Sequence, residues 1–276
     1  MYNELVKLAQ ILNAITLKAI TMVVVGLIAA ALVIWLAIAL YARYVQLYPQ
    51  VFDLAGVSKE DDHFSDDLQK DYVTDKTGAK IEIARIGELN TSKPVILYFF
   101  GRSGRTPSMM RDMSKYATVV SPAYRGYYSS EGEASPEALR DVVDVSISYL
   151  LQKGYSRNSI IVIGHSVGGA AALYASVNYP ELPKVILINT FYSIQSMCEP
   201  QHGIACALMG DYTGSARLAD RTAGRIVMYQ TRADIYVSQQ ESKKLYDALS
   251  TTDKEYHLID GEHGKMDMQL ILGDLK

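Results

Sequence analysis

The stretch that decides the fold reads Ile160-Ile161-Val162-Ile163-Gly164-His165-Ser166-Val167-Gly168-Gly169. Its first four residues are apolar, which predicts a strand buried on both faces. The residues after the glycines, Ala170-Ala171-Ala172-Leu173, favour a helix. Because strand and helix follow each other so closely, the turn between them must be sharp, and glycine permits close backbone approach. The pattern therefore predicts a strand, a tight turn that presents Ser166, and a helix.

Short apolar runs recur on both sides of this stretch and predict the other strands. A turn at Lys76-Thr77-Gly78 predicts an antiparallel hairpin at the start of the domain. Helical stretches alternate with the later runs, which predicts an α/β fold with a mostly parallel eight-stranded sheet and helices on both faces. The predicted strands are 72–74, 81–86, 95–100, 117–120, 160–163, 185–188, 226–229 and 256–259. The predicted helices are 107–115, 136–153, 167–178, 239–249 and one that begins near Lys265.

The loops after the later strands supply partners for the serine. A serine hydroxyl becomes a good nucleophile when a base takes its proton and a carboxylate orients that base. Asp234 follows the predicted strand 226–229, and His263 follows the predicted strand 256–259. The carboxyl ends of parallel strands meet at one edge of a sheet. The sequence therefore predicts Ser166 as nucleophile, Asp234 as acid and His263 as base.

Other residues compete for these roles. Asp260 and Glu262 lie in the same loop as the predicted base and are alternative acids. His202 is the alternative base, and it lies in an insertion at about residues 192–224 that is long enough to form a lid. An ordinary glycine-rich loop with a solvated Ser166 is the non-catalytic interpretation.

Five motifs in the chain form a combination that is specific to one family. They are Tyr98-Phe99-Phe100-Gly101-Arg102-Ser103-Gly104-Arg105, Tyr124-Arg125-Gly126-Tyr127 with Ser130-Glu131-Gly132, Gly164-His165-Ser166-Val167-Gly168-Gly169, Asn189-Thr190-Phe191 and Gly261-Glu262-His263. Together they resemble the membrane-anchored α/β-hydrolases related to the serine aminopeptidase-like and bud-emergence-suppressor-like proteins. The resemblance implies the α/β-hydrolase fold and the triad named above. It also implies an oxyanion hole built from the backbone N–H groups of Arg102 and Val167.

The resemblance also implies an activity. It is typical of a serine hydrolase that cleaves an acyl ester or thioester, lipid or lipidated substrates included, through an acyl-enzyme and without cofactor or metal. Two alternatives stay open, namely a serine aminopeptidase-like peptidase and a non-catalytic membrane-tethered interaction protein. One departure concerns Phe100, which stands where the family usually has the His of a His-Gly pair. The change removes side-chain support from that loop but leaves its backbone donors.

The N-terminal part of the chain predicts a membrane anchor. Residues 19–42 are 24 consecutive positions without a charge, and a helix of that length spans roughly 36 Å, more than a hydrocarbon core of about 30 Å. Residues 1–18 predict an amphipathic segment or a plain extension of the anchor helix. Residues 43–70 predict a tether, and 71–276 the hydrolase domain. A cleaved signal peptide and a buried core helix are the alternatives.

Charge and cysteine content set the expected surroundings. Lys7 and Lys18 precede the span and Arg43 alone follows it closely, which predicts a cytoplasmic N-terminus and a hydrolase domain outside the cytoplasm. There, Cys198 and Cys206 could form a disulfide or stay as thiols. They offer no CxxC spacing for a metal. The net charge of −3 and pI near 6.0 give no support to a nucleic-acid-binding surface.

Four arginines are predicted to lie near the mouth of the site. They predict either attraction of an anionic substrate or lipid phosphate, or ordinary surface charges balanced by neighbouring acids. The four are Arg102, Arg105, Arg111 and Arg125.

Overall fold

The structure is a computed structural model, and it describes residues 2–41, 67–194 and 213–273. His202, Cys198 and Cys206, with most of the predicted tether and lid, lie outside the described residues. The helices, in chain order, are α1 (Tyr2–Tyr41), α2 (Pro107–Ser114), α3 (Pro136–Gln152), α4 (Gly168–Asn178), α5 (Ser215–Ala219), α6 (Gln239–Ala248) and α7 (Met268–Leu272). The strands are β1 (Leu68–Thr74), β2 (Lys80–Ile86), β3 (Val95–Phe99), β4 (Thr118–Pro122), β5 (Ile160–His165), β6 (Lys184–Ile188), β7 (Ile226–Thr231), β8 (Lys254–Ile259), β9 (Gly261–Glu262) and β10 (Lys265–Met266).

Eight of these strands form one mostly parallel sheet, as the sequence predicts. Their order is β1-β2-β4-β3-β5-β6-β7-β8. The pairs β1·β2 and β2·β4 are antiparallel, and the remaining neighbours are parallel. Every residue of β3, β5 and β7 is buried. Since successive side chains point to opposite faces, burial of the whole strand means that both faces of the sheet are covered.

The first strand begins earlier than the sequence indicates. β1 starts at Leu68, within the segment predicted as a tether up to residue 70. Its antiparallel pairing with β2 runs without a break from Leu68 opposite Ile86 to Thr74 opposite Lys80. The polar residues in the first half of β1 hid this strand from a search for apolar runs.

The chain after β8 also differs from expectation. A helix was predicted near Lys265, but residues 261–266 form a small hairpin of β9 and β10, and α7 begins only at Met268. The start of the helix is fixed by Asp267, whose Oδ1 accepts a hydrogen bond from the Gln269 N–H at 2.8 Å. His263 and Gly264 are thereby the two residues of a hairpin turn.

The N-terminal helix α1 is continuous over 40 residues, which corresponds to roughly 60 Å. Its apolar side chains are exposed along the length that the structure describes. By length and composition this helix could cross a membrane, and a signal sequence near an N-terminus would meet the same criteria.

Candidate active site

Ser166 occupies the turn between β5 and α4 in a strained conformation. Its φ is +54°, in the left-handed region that side chains rarely adopt. The Ser166 N–H donates to the Ile188 carbonyl at 2.9 Å. The Ser166 carbonyl accepts from Thr190 Oγ1 at 2.9 Å and from the Gly169 N–H at 3.0 Å. These bonds to β6 and α4 hold the serine in a backbone geometry that it would not choose alone.

The glycines around Ser166 are required by close packing. A Cβ on Gly168 would lie 2.1 Å from the Phe99 carbonyl oxygen, and one on Gly164 would lie 2.6 Å from the Gly168 carbonyl oxygen. Both distances are far inside van der Waals contact, and the obstructing atoms are backbone. The G-x-S-x-G spacing is therefore explained by the approach of α4 to the ends of β3 and β5.

Asp234 and His263 lie in contact beyond the carboxyl ends of β7 and β8. His263 Nδ1 and Asp234 Oδ2 are 2.7 Å apart. Asp234 Oδ1 accepts hydrogen bonds from the N–H groups of Tyr236 at 2.8 Å and Val237 at 2.9 Å. The Asp234 side chain is fully buried, whereas 19% of the His263 side chain is exposed. Two backbone N–H groups thus fix one carboxylate oxygen of Asp234, and the other oxygen contacts the imidazole ring.

The pKa of the Asp234 carboxyl reflects this setting. Burial alone would raise the pKa, but the hydrogen bonds from His263 and from the backbone of Val237 and Tyr236 outweigh burial and lower it below its ordinary value. The carboxylate is therefore ionised at neutral pH. A carboxylate at Nδ1 favours the tautomer in which Nε2 carries the lone pair.

The alternative acids lie elsewhere. Asp260 is 95% exposed and pairs with Arg232 at 3.1 Å. Glu262 is exposed and lies 3.8 Å from Lys265. The structure therefore brings Asp234 to His263 and turns the other two carboxylates toward solvent.

Two buried side chains hold the backbone of His263, and although both fall in motifs noted in the sequence, neither was given a role there. His165 Nε2 lies 2.7 Å from the His263 carbonyl oxygen, and Asn189 Nδ2 donates to the same oxygen at 2.9 Å. Asn189 Oδ1 accepts from the Thr231 N–H at 2.8 Å. Because His165 immediately precedes Ser166, this carbonyl links the turn that carries the serine to the turn that carries the histidine.

His165 is uncharged at neutral pH. Burial and the neighbouring His263 lower its pKa to about 4. The neutral ring can donate from Nε2 to the His263 carbonyl. Its buried Nδ1 has no hydrogen-bond partner among the described residues. The histidine in the variable position of the serine motif thus serves as a donor to the turn opposite.

The first loop, residues 100–105, lies against the serine. Gly101 and Gly104 are bridged, with the Gly104 N–H donating to the Gly101 carbonyl at 3.2 Å. A Cβ on Gly101 would lie 3.2 Å from Ser166 Cβ and 3.3 Å from His165 Nδ1. Arg102 follows Gly101 in this turn, and Val167 begins the approach to α4 on the other side of Ser166.

Three tyrosines from the segment after β4 bind the backbone of the first loop. Tyr124 Oη donates to the Phe100 carbonyl at 2.8 Å, and Tyr127 Oη donates to the Arg102 carbonyl at 2.8 Å. The Arg105 N–H donates to Tyr128 Oη at 2.6 Å. These hydroxyls supply the support that the sequence led us to expect would be lost with Phe100.

Two of the four arginines are structural, contrary to both interpretations of the sequence. The Arg105 guanidinium is fully buried and lies 2.8 Å from Glu82 Oε1 and 3.1 Å from the Ser121 carbonyl. Arg125 Nε donates to Asp75 Oδ2 at 2.8 Å, and its side chain is mostly buried. These charges were not recognised as internal because their partners lie 23 and 50 residues away.

Within residues 2–41, 67–194 and 213–273, no group of three or more His, Cys, Asp or Glu side chains is arranged to hold a metal ion.

No protein-family model matches the sequence. Protein bem46 of Schizosaccharomyces pombe is 30% identical over 113 residues, 38% of this chain and 38% of that protein. The uncharacterized membrane protein YNL320W of Saccharomyces cerevisiae is 40% identical over 77 residues, 27% of each chain. The α/β hydrolase domain-containing protein WAV2 of Arabidopsis thaliana is 32% identical over 111 residues, 38% of this chain and 36% of WAV2. The chain thus matches less than two fifths of the length of these relatives.

Solved structures show the same fold. An esterase of Pyrococcus furiosus has a TM-score of 0.56 and 13% identity, covering 82% of this chain and 89% of the esterase. A thioesterase domain from the curacin biosynthetic pathway has a TM-score of 0.53 and 12% identity, covering 75% and 98%. A puromycin-hydrolyzing peptidase of Mycobacterium tuberculosis has a TM-score of 0.58 and 15% identity, covering 75% and 37%. Three activities share the fold, so the fold alone does not select among them.

Proposed function

We propose that this chain, which has the α/β-hydrolase fold, is a serine hydrolase that cleaves an ester or thioester through an acyl-enzyme. The observation that carries the proposal is the 2.7 Å contact between His263 Nδ1 and Asp234 Oδ2. This contact lies beyond the carboxyl ends of the parallel strands, as does the strained turn at Ser166. An oriented imidazole beside a serine held in such a turn is the arrangement that activates a serine hydroxyl.

In the first half of the reaction, Ser166 Oγ attacks the carbonyl carbon of the substrate while His263 Nε2 takes the hydroxyl proton. The buried Asp234 carboxylate stabilises the imidazolium that forms. His263 then gives this proton to the departing alcohol or thiol, and the acyl group stays on Ser166. His165 supports this step by remaining neutral next to the transient cation, with ring centroids 4.8 Å apart.

The negative oxygen of the tetrahedral intermediate needs hydrogen-bond donors fixed in advance. We assign this role to the backbone N–H groups of Arg102 and Val167. The assignment is supported by the close approach of Gly101 to Ser166 Cβ and by the position of Val167 directly after the serine at the start of α4. Backbone donors need no particular side chain, so Phe100 is compatible with this role.

In the second half, water attacks the acyl-enzyme while His263 takes one of its protons. His263 then returns this proton to Ser166 Oγ as the acid product leaves, which restores the free serine. These steps use only side chains, backbone donors and water, so the proposed mechanism requires neither a cofactor nor a metal.

The rim of the site favours a substrate with an apolar acyl group. Ile235 and Tyr236 follow Asp234, and their side chains are 85% and 62% exposed. The Tyr236 ring lies edge-on to the His263 ring at 5.2 Å between centroids. Together with the apolar helix α1, this rim supports a lipid or a lipidated molecule as the ester or thioester substrate.

We further propose that α1 is an uncleaved single-pass anchor with its N-terminus in the cytoplasm and the hydrolase domain outside. The support is the pair Lys7 and Lys18 before the apolar stretch, against Arg43 after it. Protease added to intact cells is expected to digest the domain. Complete protection until the cells are lysed would reverse the orientation.

The function is tested by labelling the full chain with a fluorophosphonate probe and by hydrolysis of p-nitrophenyl esters. Ser166→Ala is expected to abolish labelling and to lower kcat by roughly four orders of magnitude or more, because the nucleophile is lost. Ser176→Ala is the matched control. Ser176 lies in α4, the helix that follows Ser166, and its Oγ donates to the Ala223 carbonyl at 2.8 Å. This control should be labelled like the wild type.

Two outcomes contradict the proposal. Labelling that persists in Ser166→Ala would place the nucleophile elsewhere, and a folded wild-type chain without labelling or ester hydrolysis would leave the fold without this activity. A parallel assay with aminoacyl p-nitroanilides separates ester hydrolysis from peptidase activity. We expect turnover of the esters to exceed turnover of the amides.

A further inference from the structure

We infer that Tyr124 and Tyr127 are positioning residues for the oxyanion hole, because their hydroxyls hold the backbone on both sides of the Arg102 N–H. The inference rests on the proposed function, since it assigns the means by which one of the proposed donors is fixed. It concerns two hydroxyl groups that take no part in the chemistry itself.

The hydrogen bonds of the first loop bracket one peptide group. This is the group formed by the Gly101 carbonyl and the Arg102 N–H. The preceding carbonyl, of Phe100, accepts from Tyr124 Oη at 2.8 Å, and the following carbonyl, of Arg102, accepts from Tyr127 Oη at 2.8 Å. The Gly101 carbonyl accepts from the Gly104 N–H at 3.2 Å. Because a trans peptide group is planar, fixing its carbonyl also fixes the direction of its N–H.

The two hydroxyls are themselves held in place by packing. Tyr124 is 1% exposed and Tyr127 is 0% exposed. Their rings meet edge to face with centroids 5.6 Å apart, and the Phe100 ring contacts both at 4.5 Å and 5.7 Å. Side chains locked in this way cannot swing with the loop. They therefore restrain it from the core outward.

The Tyr124 hydroxyl also keeps its proton. Burial raises the pKa of the Tyr124 hydroxyl well above its ordinary value. Each phenol has one hydrogen to donate, and in these two residues it goes to a carbonyl of the loop. Replacing Tyr by Phe removes this donor and leaves the packed ring, so the substitution isolates the hydrogen bond from the core contacts.

The experiment measures p-nitrophenyl butyrate hydrolysis by the full chain in detergent for Tyr124→Phe and Tyr127→Phe. Each variant is expected to lower kcat by about tenfold with KM changed by less than about twofold, since a misplaced donor weakens binding of the developing charge rather than of the ester. Inhibition by phenylboronic acid should weaken by a similar factor. Its tetrahedral adduct places an oxygen where the oxyanion would lie.

The matched control is Tyr155→Phe. Tyr155 is 4% exposed, and its hydroxyl accepts from the Asn90 N–H at 2.8 Å. Asn90 precedes β3, so this bond lies at the amino ends of the parallel strands, away from Ser166. The control loses a buried tyrosine hydroxyl that binds backbone, here as an acceptor, and should keep the wild-type kcat.

Several outcomes would overturn the inference. The first is an unchanged kcat in Tyr124→Phe and Tyr127→Phe chains that melt like the wild type. The second is a change in KM with no change in kcat. The third is a fall in kcat of the same size in Tyr155→Phe. If one of the two variants fails to fold, the other decides. A wild-type chain that the fluorophosphonate probe does not label refutes the serine mechanism and this inference together. A labelled, active wild type with unaffected tyrosine variants refutes the inference alone.

Discussion

The first loop lies against Ser166 and the histidine turn, residues 261–266, lies against His165, but the two are held by different means. The first loop is bound by tyrosine hydroxyls from one neighbouring segment. The histidine turn is bound through the His263 carbonyl by His165 and Asn189, which come from the ends of β5 and β6. The proposed base is therefore coupled directly to the strand that carries the proposed nucleophile. The proposed oxyanion donor depends on a separate aromatic cluster.

This difference also separates the two regions in their response to acid. His165 is a titratable donor whose pKa is lowered to about 4. Tyr124 is a donor whose pKa is raised well above its ordinary value by burial. Acidic pH should therefore act on the support of the histidine turn and leave the Tyr124 hydroxyl unchanged, because that hydroxyl already carries its proton.

The largest loss of activity should come from removing the Asp234 carboxylate that binds the His263 side chain. Asp234→Asn is expected to lower kcat by about 10⁴-fold, because an amide at this position favours the wrong imidazole tautomer. Ester hydrolysis by Asp260→Asn provides the control, since Asp260 is exposed and pairs with Arg232. This variant should stay close to the wild type. Greater damage in Asp260→Asn than in Asp234→Asn would show that Asp260 is the acid.

A smaller effect should appear in the pH dependence of stability. The unfolded chain binds a proton on His165 below its ordinary pKa of 6.5, whereas the folded chain resists protonation until about pH 4. Neutral His165 therefore contributes stability that is present above pH 6.5 and is lost as the pH falls through this window. The free energy of unfolding should decrease by about 3 kcal/mol in total. Denaturant unfolding of the full chain at pH 7 and about pH 4 measures it.

Two variants check the assignment to His165. His165→Gln keeps a side-chain donor but cannot bind the proton, so its stability should fall less across the window. Ser176→Ala removes a buried side chain that does not titrate and should retain the wild-type pH dependence. If His165→Gln and the wild type lose the same stability between the two pH values, His165 is not the group responsible.

The sequence predicted the sheet better than it predicted the ends of the chain's elements. Continuous apolar runs identify strands that are buried on both faces, and β5 is such a strand. The first half of β1 and the hairpin 261–266 lack this signal. β1 is an edge strand, and the first half of it is mostly polar. The strands of the hairpin are only two residues long. Neither segment therefore shows a periodicity that the sequence alone would reveal.

The site shows the same division. Ser166, Asp234 and His263 were predicted because each follows a strand, and strand ends can be found locally. Asn189 and His165 reach the His263 carbonyl across 74 and 98 residues of sequence, and no local pattern records such a bond. One signal was present. Asn189 is an asparagine at a strand end, and its φ of +48° is a conformation that asparagine tolerates better than most residues.

The two-residue turn of the hairpin has a consequence for how this protein can vary over time. Lys265 is paired with Glu262, which leaves room for His263 and Gly264 alone. One added residue would move the imidazole by about 3.4 Å along the chain or break the pairing. Natural selection should therefore constrain the length of this segment more strictly than the identity of the exposed residues that flank it. Insertions should accumulate in other connections of the domain.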